Sequence, residues 1–299
     1  MPPVPRFTWY RWHVFLFIPV TMNLHELQTR VDALALDTAR SVEQRIDDIF
    51  ELRSTLMTDD ETVQHQYDVI YLSTLLEMVS ASNTDHNYDI ELFQICTMLA
   101  ETYDELNDYR PMKNVITKAL WLLENCDVSY QVIDYAIPRI IESVKHSVYH
   151  HDRYRLLAAF LRFAWETECS GDYINRENVN KLMRQMLNLR GLLPDATRPD
   201  LLDADLQIFI ARYIKPDEFS TIIDHPHEGH LRRDPVEYTL RWEEVYYDVT
   251  DELDRYFADT PRHMGFCFQY WAAQTDLLRT KYNIEWKNPH LMNPGVMFD

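Results

Sequence analysis

No glycine occurs in the first 170 residues of this 299-residue chain, and the whole chain holds five. A chain of ordinary composition would hold about twenty. Glycine supplies the positive φ angles that tight hairpins, bulges and phosphate-cradling loops require. The N-terminal half is therefore poorly suited to β-hairpin architectures and to Gly-rich nucleotide loops. Helices joined by short polar turns are what remain.

The apolar spacing agrees with that restriction. Leu24, Leu27, Val31, Leu34 and Ala35 recur every three to four residues, and Asn23 stands as an N-cap with Glu26 three residues on. Ile46, Ile49, Phe50 and Arg53 continue a stripe. Asp59-Asp60-Glu61 then places acid where a helix N-terminus favours it, ahead of Val63, Tyr67, Ile70, Tyr71, Thr74, Leu75 and Met78. The run SASNTDHN (80–87) is a turn by composition. Further helices are predicted over 89–107, 111–125, 130–150, 152–168, 177–190, 201–213, 235–258 and 263–282. Gly191 is read as a helix stop, and Asp234-Pro235 as the cap and first turn of the 235–258 helix.

Three regions follow from these elements. Residues 1–21 are aromatic and Pro-rich, unlike the rest, and are expected to be a poorly ordered extension; Val14–Val20 is too short to span a bilayer. Residues 22–192 form a helical domain. Residues 193–299 form a C-terminal helical region with a long Pro-rich loop at 215–235 and an irregular tail, which is too apolar to stay free in water.

Charge narrows the partners. Residues 22–110 hold 19 acidic and 5 basic side chains, within a chain of net charge −19. Such a surface repels phosphates and disfavours nucleic acid. It attracts basic protein or peptide partners, and it is equally the ordinary solvated face of a soluble protein. The four cysteines (Cys96, Cys126, Cys169 and Cys267) lack any CxxC spacing and read as reduced, mostly core thiols of a cytoplasmic protein.

Residues 93–126 carry a pattern of their own. Leu99, Ala100, Tyr103, Leu106, Asn107, Asp108 and Tyr109 precede Met112, Ile116, Ala119 and Leu120: helix, tight turn, then a second helix opening at Pro111. This resembles a tetratricopeptide repeat, with Ala100 at the small position, Tyr103 at the aromatic one and Ala119 near the close approach of the second helix. The family's tryptophan position holds Cys96, its turn glycine is Asn107 and its closing proline is Glu124. A weaker copy covers 138–171, where His151-Asp152-Arg153-Tyr154, Leu157, Leu161 and Ala164 echo the first at an offset of 45 residues. The resemblance implies an all-α fold of stacked helical hairpins (an α-solenoid) with a C-terminal helical cap, working as a non-enzymatic interaction module without a cofactor. The residues expected to meet a partner are Tyr103, Tyr109, Arg153, Arg155 and Arg162.

Chemistry has one other candidate. His225, His227 and His230 form a local cluster that could hold a divalent metal such as zinc, with Glu228 as a general base, which would make the chain a metal-dependent hydrolase. No HExxH accompanies them, and a polar surface loop explains them equally well. His146 and His150 are expected on one face of a helix end. Glu243, Glu244, Asp248, Asp251 and Glu252 are read as the solvated face of the 235–258 helix. The aromatic tail (Trp286, Met292, Met297 and Phe298) leaves a structural homo-oligomer, docked tail to neighbour, as a third reading. A membrane partner is not expected.

Overall fold

The computed structural model describes residues 22–56, 58–126, 128, 130–172, 175–194, 204–227 and 229–298. Among the described residues there are thirteen α-helices, two short 3-10 turns and no strand. None of these helices is long and apolar enough to cross a membrane. The expectation for residues 1–21 lies outside the described residues.

The chain divides into two compact units between His146 and Ser147. That is earlier than the 192/193 boundary expected from the prolines, so the two helices over 150–192 group with the C-terminal region. Proline content marked a break in local structure; packing sets the unit.

The N-terminal unit holds α1 (Leu24–Ala35), α2 (Val42–Thr55), α3 (Glu61–Ser82), α4 (Asp89–Glu105), α5 (Tyr109–Asn125) and α6 (Tyr130–Ser143), then a 3-10 turn at Val144–His146. Three starts are capped by side chains. Asn23 Oδ1 accepts from the Glu26 N–H at 2.8 Å, Ser41 and Gln44 form a reciprocal capping box, and Asp60 Oδ1 accepts from the Val63 N–H at 3.1 Å. Each such cap contributes about 1 kcal/mol. Arg53, inside the α2 stripe, reaches Asp68 of α3 through two bonds of 2.7 and 2.9 Å.

Helix α4 lies at the centre of this unit and packs against α3, α5 and α6. Its Phe93, Cys96, Leu99 and Ala100 are buried, as are Met112, Ile116, Ala119 and Leu120 of α5. The segment 93–126 does fold back on itself. The reversal is built on Asn107, at φ +55°: its N–H donates to Asp104 O at 2.9 Å, and the Asp108 N–H donates to Tyr103 O at 2.8 Å. These two bonds are a Schellman stop, in which asparagine serves where the tetratricopeptide pattern carries glycine. Helix α5 starts at Tyr109 rather than Pro111, which is tolerated because first-turn N–H groups have no partner inside the helix.

The C-terminal unit holds α7 (His150–Cys169), α8 (Arg176–Leu192), α9 (Ala204–Tyr213), α10 (Pro216–Asp224), a 3-10 turn at Pro235–Tyr238, α11 (Leu240–Tyr256), α12 (Phe266–Tyr282) and α13 (Pro289–Met292). The expected second repeat, 138–171, spans the division between the units. Within its own unit α7 pairs with α8 across a Schellman stop at Gly171, φ +78°. His151, which fell between the expected helices 130–150 and 152–168, sits with Asp152 in the first turn of α7. His146 and His150 do not share a helix: one ends the 3-10 turn and the other begins α7.

Three other expectations change here. The 215–235 segment contains a helix, α10, because Pro216 occupies its first position and Asp217 and Glu218 its first turn. Gly191 is not a stop but lies inside α8, where a Cβ would fall 2.4 Å from the Ile223 carbonyl oxygen of α10. Asp234 caps only the 3-10 turn, and Thr239 starts α11 afresh. In keeping with its apolar content, the tail is not wholly free: Trp286 joins Trp242, Val249, Leu253, Leu278 and Ile284 in one apolar cluster, while Met297 stays exposed.

Candidate functional site

The residues singled out by sequence are placed as follows. Tyr103 and Tyr109 flank the α4–α5 turn, both half-buried, and the Tyr109 hydroxyl donates to Asn107 Oδ1 at 3.1 Å. Arg153, Arg155 and Arg162 belong to α7 in the other unit. Arg155 and Arg162, seven residues apart, are exposed, whereas Arg153 is half-buried and donates to Gln185 of α8 at 3.2 Å. The five residues thus divide between the two units.

His225, His227 and His230 are exposed, and among the described residues their ring nitrogens do not gather within metal-ligand reach of one another. The expected base Glu228 lies outside the described residues. The local structure has its own use for His227. Asn188 of α8 accepts from the His227 N–H at 2.6 Å and donates to its carbonyl at 3.0 Å, while His227 Nδ1 accepts from the Gly229 N–H at 3.0 Å. The loop is thereby fastened to α8.

Glu243 is not solvated. It is buried, and its Oε1 accepts from the His151 N–H at 3.1 Å and pairs with His151 Nδ1 at 2.7 Å. Beside it His150 is also buried, its ring 4.7 Å from that of Tyr238, and its Nδ1 lacks a hydrogen-bond partner among the described residues. Burial first, then the nearby Arg153, Arg233 and His151, hold the His150 pKa down to about 3.

A polar cleft of about 390 Å³ is lined by Glu168, Arg176, Glu177, Asn180, Arg212 and Tyr213. Three of its four charged side chains are engaged in ion pairs, Glu177 with a residue outside the lining. Arg212 meets Glu168 at 2.5 Å, the Tyr213 hydroxyl donates to Glu168 at 2.9 Å, and Lys181 meets Glu177 at 2.8 Å. Desolvation, together with Glu168, pushes the Tyr213 hydroxyl up to about 12. With Glu168, Arg212 and Glu177 so engaged, the lining offers no cysteine, serine or histidine as a nucleophile.

The turn between α3 and α4 holds a different arrangement. His86, Asp89 and Cys126 place one ligand atom each within 4.8 Å of one another. His86 Nδ1 lies 3.1 Å from Asp89 Oδ2 and 3.9 Å from Cys126 Sγ. The other carboxylate oxygen, Asp89 Oδ1, accepts from Asn83 Nδ2 at 2.6 Å, and Asn83 Oδ1 in turn accepts from the Tyr88 N–H at 2.8 Å. The Trp121 ring stacks beside His86, with centroids 6.5 Å apart and planes at 22°. Burial, then the bond to Asp89, pushes the Cys126 thiol up to about 12. Both the carboxylate and the sulfur face the same imidazole nitrogen. A nucleophilic triad needs one ring nitrogen for each, so this is no cysteine-hydrolase centre.

Sequence reasoning passed over these three residues because the cysteines showed no metal spacing. Of the four, only Cys96 is a core thiol; Cys126 and Cys267 are half-buried and Cys169 is exposed. A usable signal lay in helix length. Helices α4 and α5 are 17 residues each around a short turn, so the chain returns beside Asp89 when it reaches Cys126. No family model matches this sequence, and no curated protein or solved structure matches it either.

Proposed function

We propose that the chain is a non-enzymatic interaction scaffold, whose stacked hairpins α1–α6 act as a helical-repeat surface for a basic peptide or helix. The observation that carries this reading is Trp121. It lies on the outer side of α5, 49% exposed, in a unit (22–146) that holds 23 acidic and 9 basic side chains. A half-exposed tryptophan in a unit of net negative charge has the makings of a binding hot spot, where an aromatic anchor supplies affinity and charge supplies approach. Leu24 and Leu36 are exposed apolar residues of the same unit.

The test is fluorescence anisotropy with two labelled amphipathic helices, one built of Leu and Lys and the other of Leu and Glu. The Lys helix is expected to bind the full chain, to weaken as salt rises, and to lose at least about tenfold in affinity with Trp121→Ala. Equal binding of both helices, or affinity unchanged in Trp121→Ala, overturns the reading.

A further inference from the structure

We propose that His86, Asp89 and Cys126 form a transition-metal site of the zinc class, with three protein ligands and one open position. The donor set is one that zinc and its congeners accept: an imidazole nitrogen, a carboxylate oxygen and a sulfur. Tetrahedral zinc places such nitrogen and oxygen ligands about 3.3 Å apart and nitrogen and sulfur about 3.5 Å apart, from its bond lengths of about 2.0 and 2.3 Å. The corresponding separations here are 3.1 and 3.9 Å. For these two pairs an ion asks for shifts of a few tenths of an ångström, and all three ligand atoms lie within 4.8 Å of one another.

The surroundings fit a ligand set. Asn83 occupies Asp89 Oδ1 and leaves Oδ2 turned toward His86, the kind of outer contact that orients a metal-binding carboxylate. Asn83 is itself fixed by the Tyr88 N–H, so the carboxylate is held from behind. The ligands come from separate elements: His86 from the α3–α4 turn, Asp89 from the first residue of α4, and Cys126 from the C-cap of α5. An ion there would tie the open end of the α4–α5 hairpin, opposite its Asn107 turn. The site lies beside Trp121, so a metal would also stiffen the edge of the surface assigned above to a partner; the metal proposal does not depend on that assignment. On binding, the Cys126 thiol gives its proton to solvent and the thiolate sulfur bonds the ion. No electron is transferred.

Cobalt(II) titration of the full, metal-stripped chain tests this. One equivalent is expected to give the visible bands of tetrahedral cobalt together with a thiolate-to-cobalt absorption, both displaced by zinc. Cys126→Ser and His86→Gln should each abolish the thiolate band, whereas Cys169→Ser and His227→Gln should keep it. Circular dichroism confirms that each variant is folded. Zinc should also raise the melting temperature of the parent chain and leave that of Cys126→Ser unmoved. Absence of the thiolate band in the parent chain, its survival in Cys126→Ser, or its loss in His227→Gln overturns the assignment.

Discussion

The two units are held together by different chemistry. In the N-terminal unit the buried residues are mostly aliphatic and aromatic side chains repeated along α3, α4 and α5, and the starts of α1, α2 and α3 are closed by short local caps. The N-terminal unit matches some polar groups across its helices, as in the Arg53–Asp68 pair; in the C-terminal unit such matches, buried or part-buried, reach further along the sequence. His151 meets Glu243, the Trp286 Nε1–H donates to Glu237 at 2.8 Å, and Asn293 bonds both the N–H and the carbonyl of Arg232. Apolar packing loses stability in proportion to the surface removed. A directional polar contact in the interior fails as a whole, because the partner left behind keeps its desolvation cost. The first unit should therefore yield gradually to substitution, and the second abruptly.

The sharpest way to break that contrast is Glu243→Ala. It strips a buried backbone N–H and a buried ring nitrogen of their acceptor at once, and removing one partner of a buried pair costs about 3–5 kcal/mol. Hydrogen exchange read by mass spectrometry should show amides of 147–298 losing protection while those of 22–146 keep theirs. Loss spread evenly over both units would mean that they do not unfold separately. Acid is the next lever. His150 in the folded chain resists protonation until about pH 3, whereas in the unfolded chain it titrates near its ordinary 6.5. The unfolded state thus binds the extra proton between those values, and stability falls as pH drops through that window. At pH 4.5 the loss is about 2–3 kcal/mol, complete only below the folded value. Urea midpoints from pH 7 to 4 should decline, and His150→Phe should flatten that decline; an equal slope in the variant would exclude His150 as the cause.

The contrast between units also explains what could be read from sequence. The cap at Asn23, the helix start beside Asp59-Asp60-Glu61 and the reversal at Asn107-Asp108 were legible, because each is decided by residues within a few positions. Gly191 was misread since its lack of a side chain answers to Ile223, 32 residues later, rather than to its own helix end. Glu243 was misread for the same reason. It was grouped by charge with Glu244 and Asp248, although on a helical wheel it lies about 100° and 140° from them, and His151, 92 residues away, is the partner that receives it inside. Pro216 was taken as a loop signal although proline suits the first turn of a helix as well. At the candidate metal site, His86 looked like part of a polar turn and Cys126 like one of four unremarkable thiols. Their meeting depends on the hairpin closing, which composition alone does not state.

The smallest effect is expected at Asn107, where the N-terminal unit does depend on a single backbone angle. Its φ of +55° costs an ordinary side chain about 1–2 kcal/mol, while asparagine and glycine adopt it readily. Asn107→Ala should therefore destabilise by about 1 kcal/mol. Asn107→Gly should stay close to the parent, because it keeps the angle and loses only the exposed bond from the Tyr109 hydroxyl. The pair of variants separates backbone conformation from side-chain contact. If glycine and alanine cost the same, the Tyr109 bond holds the turn and the Schellman angle does not. If alanine costs several times more than the angle can account for, the α4–α5 hairpin shares the abrupt failure assigned to the other unit, and the contrast between them narrows to the buried pair at His151 and Glu243.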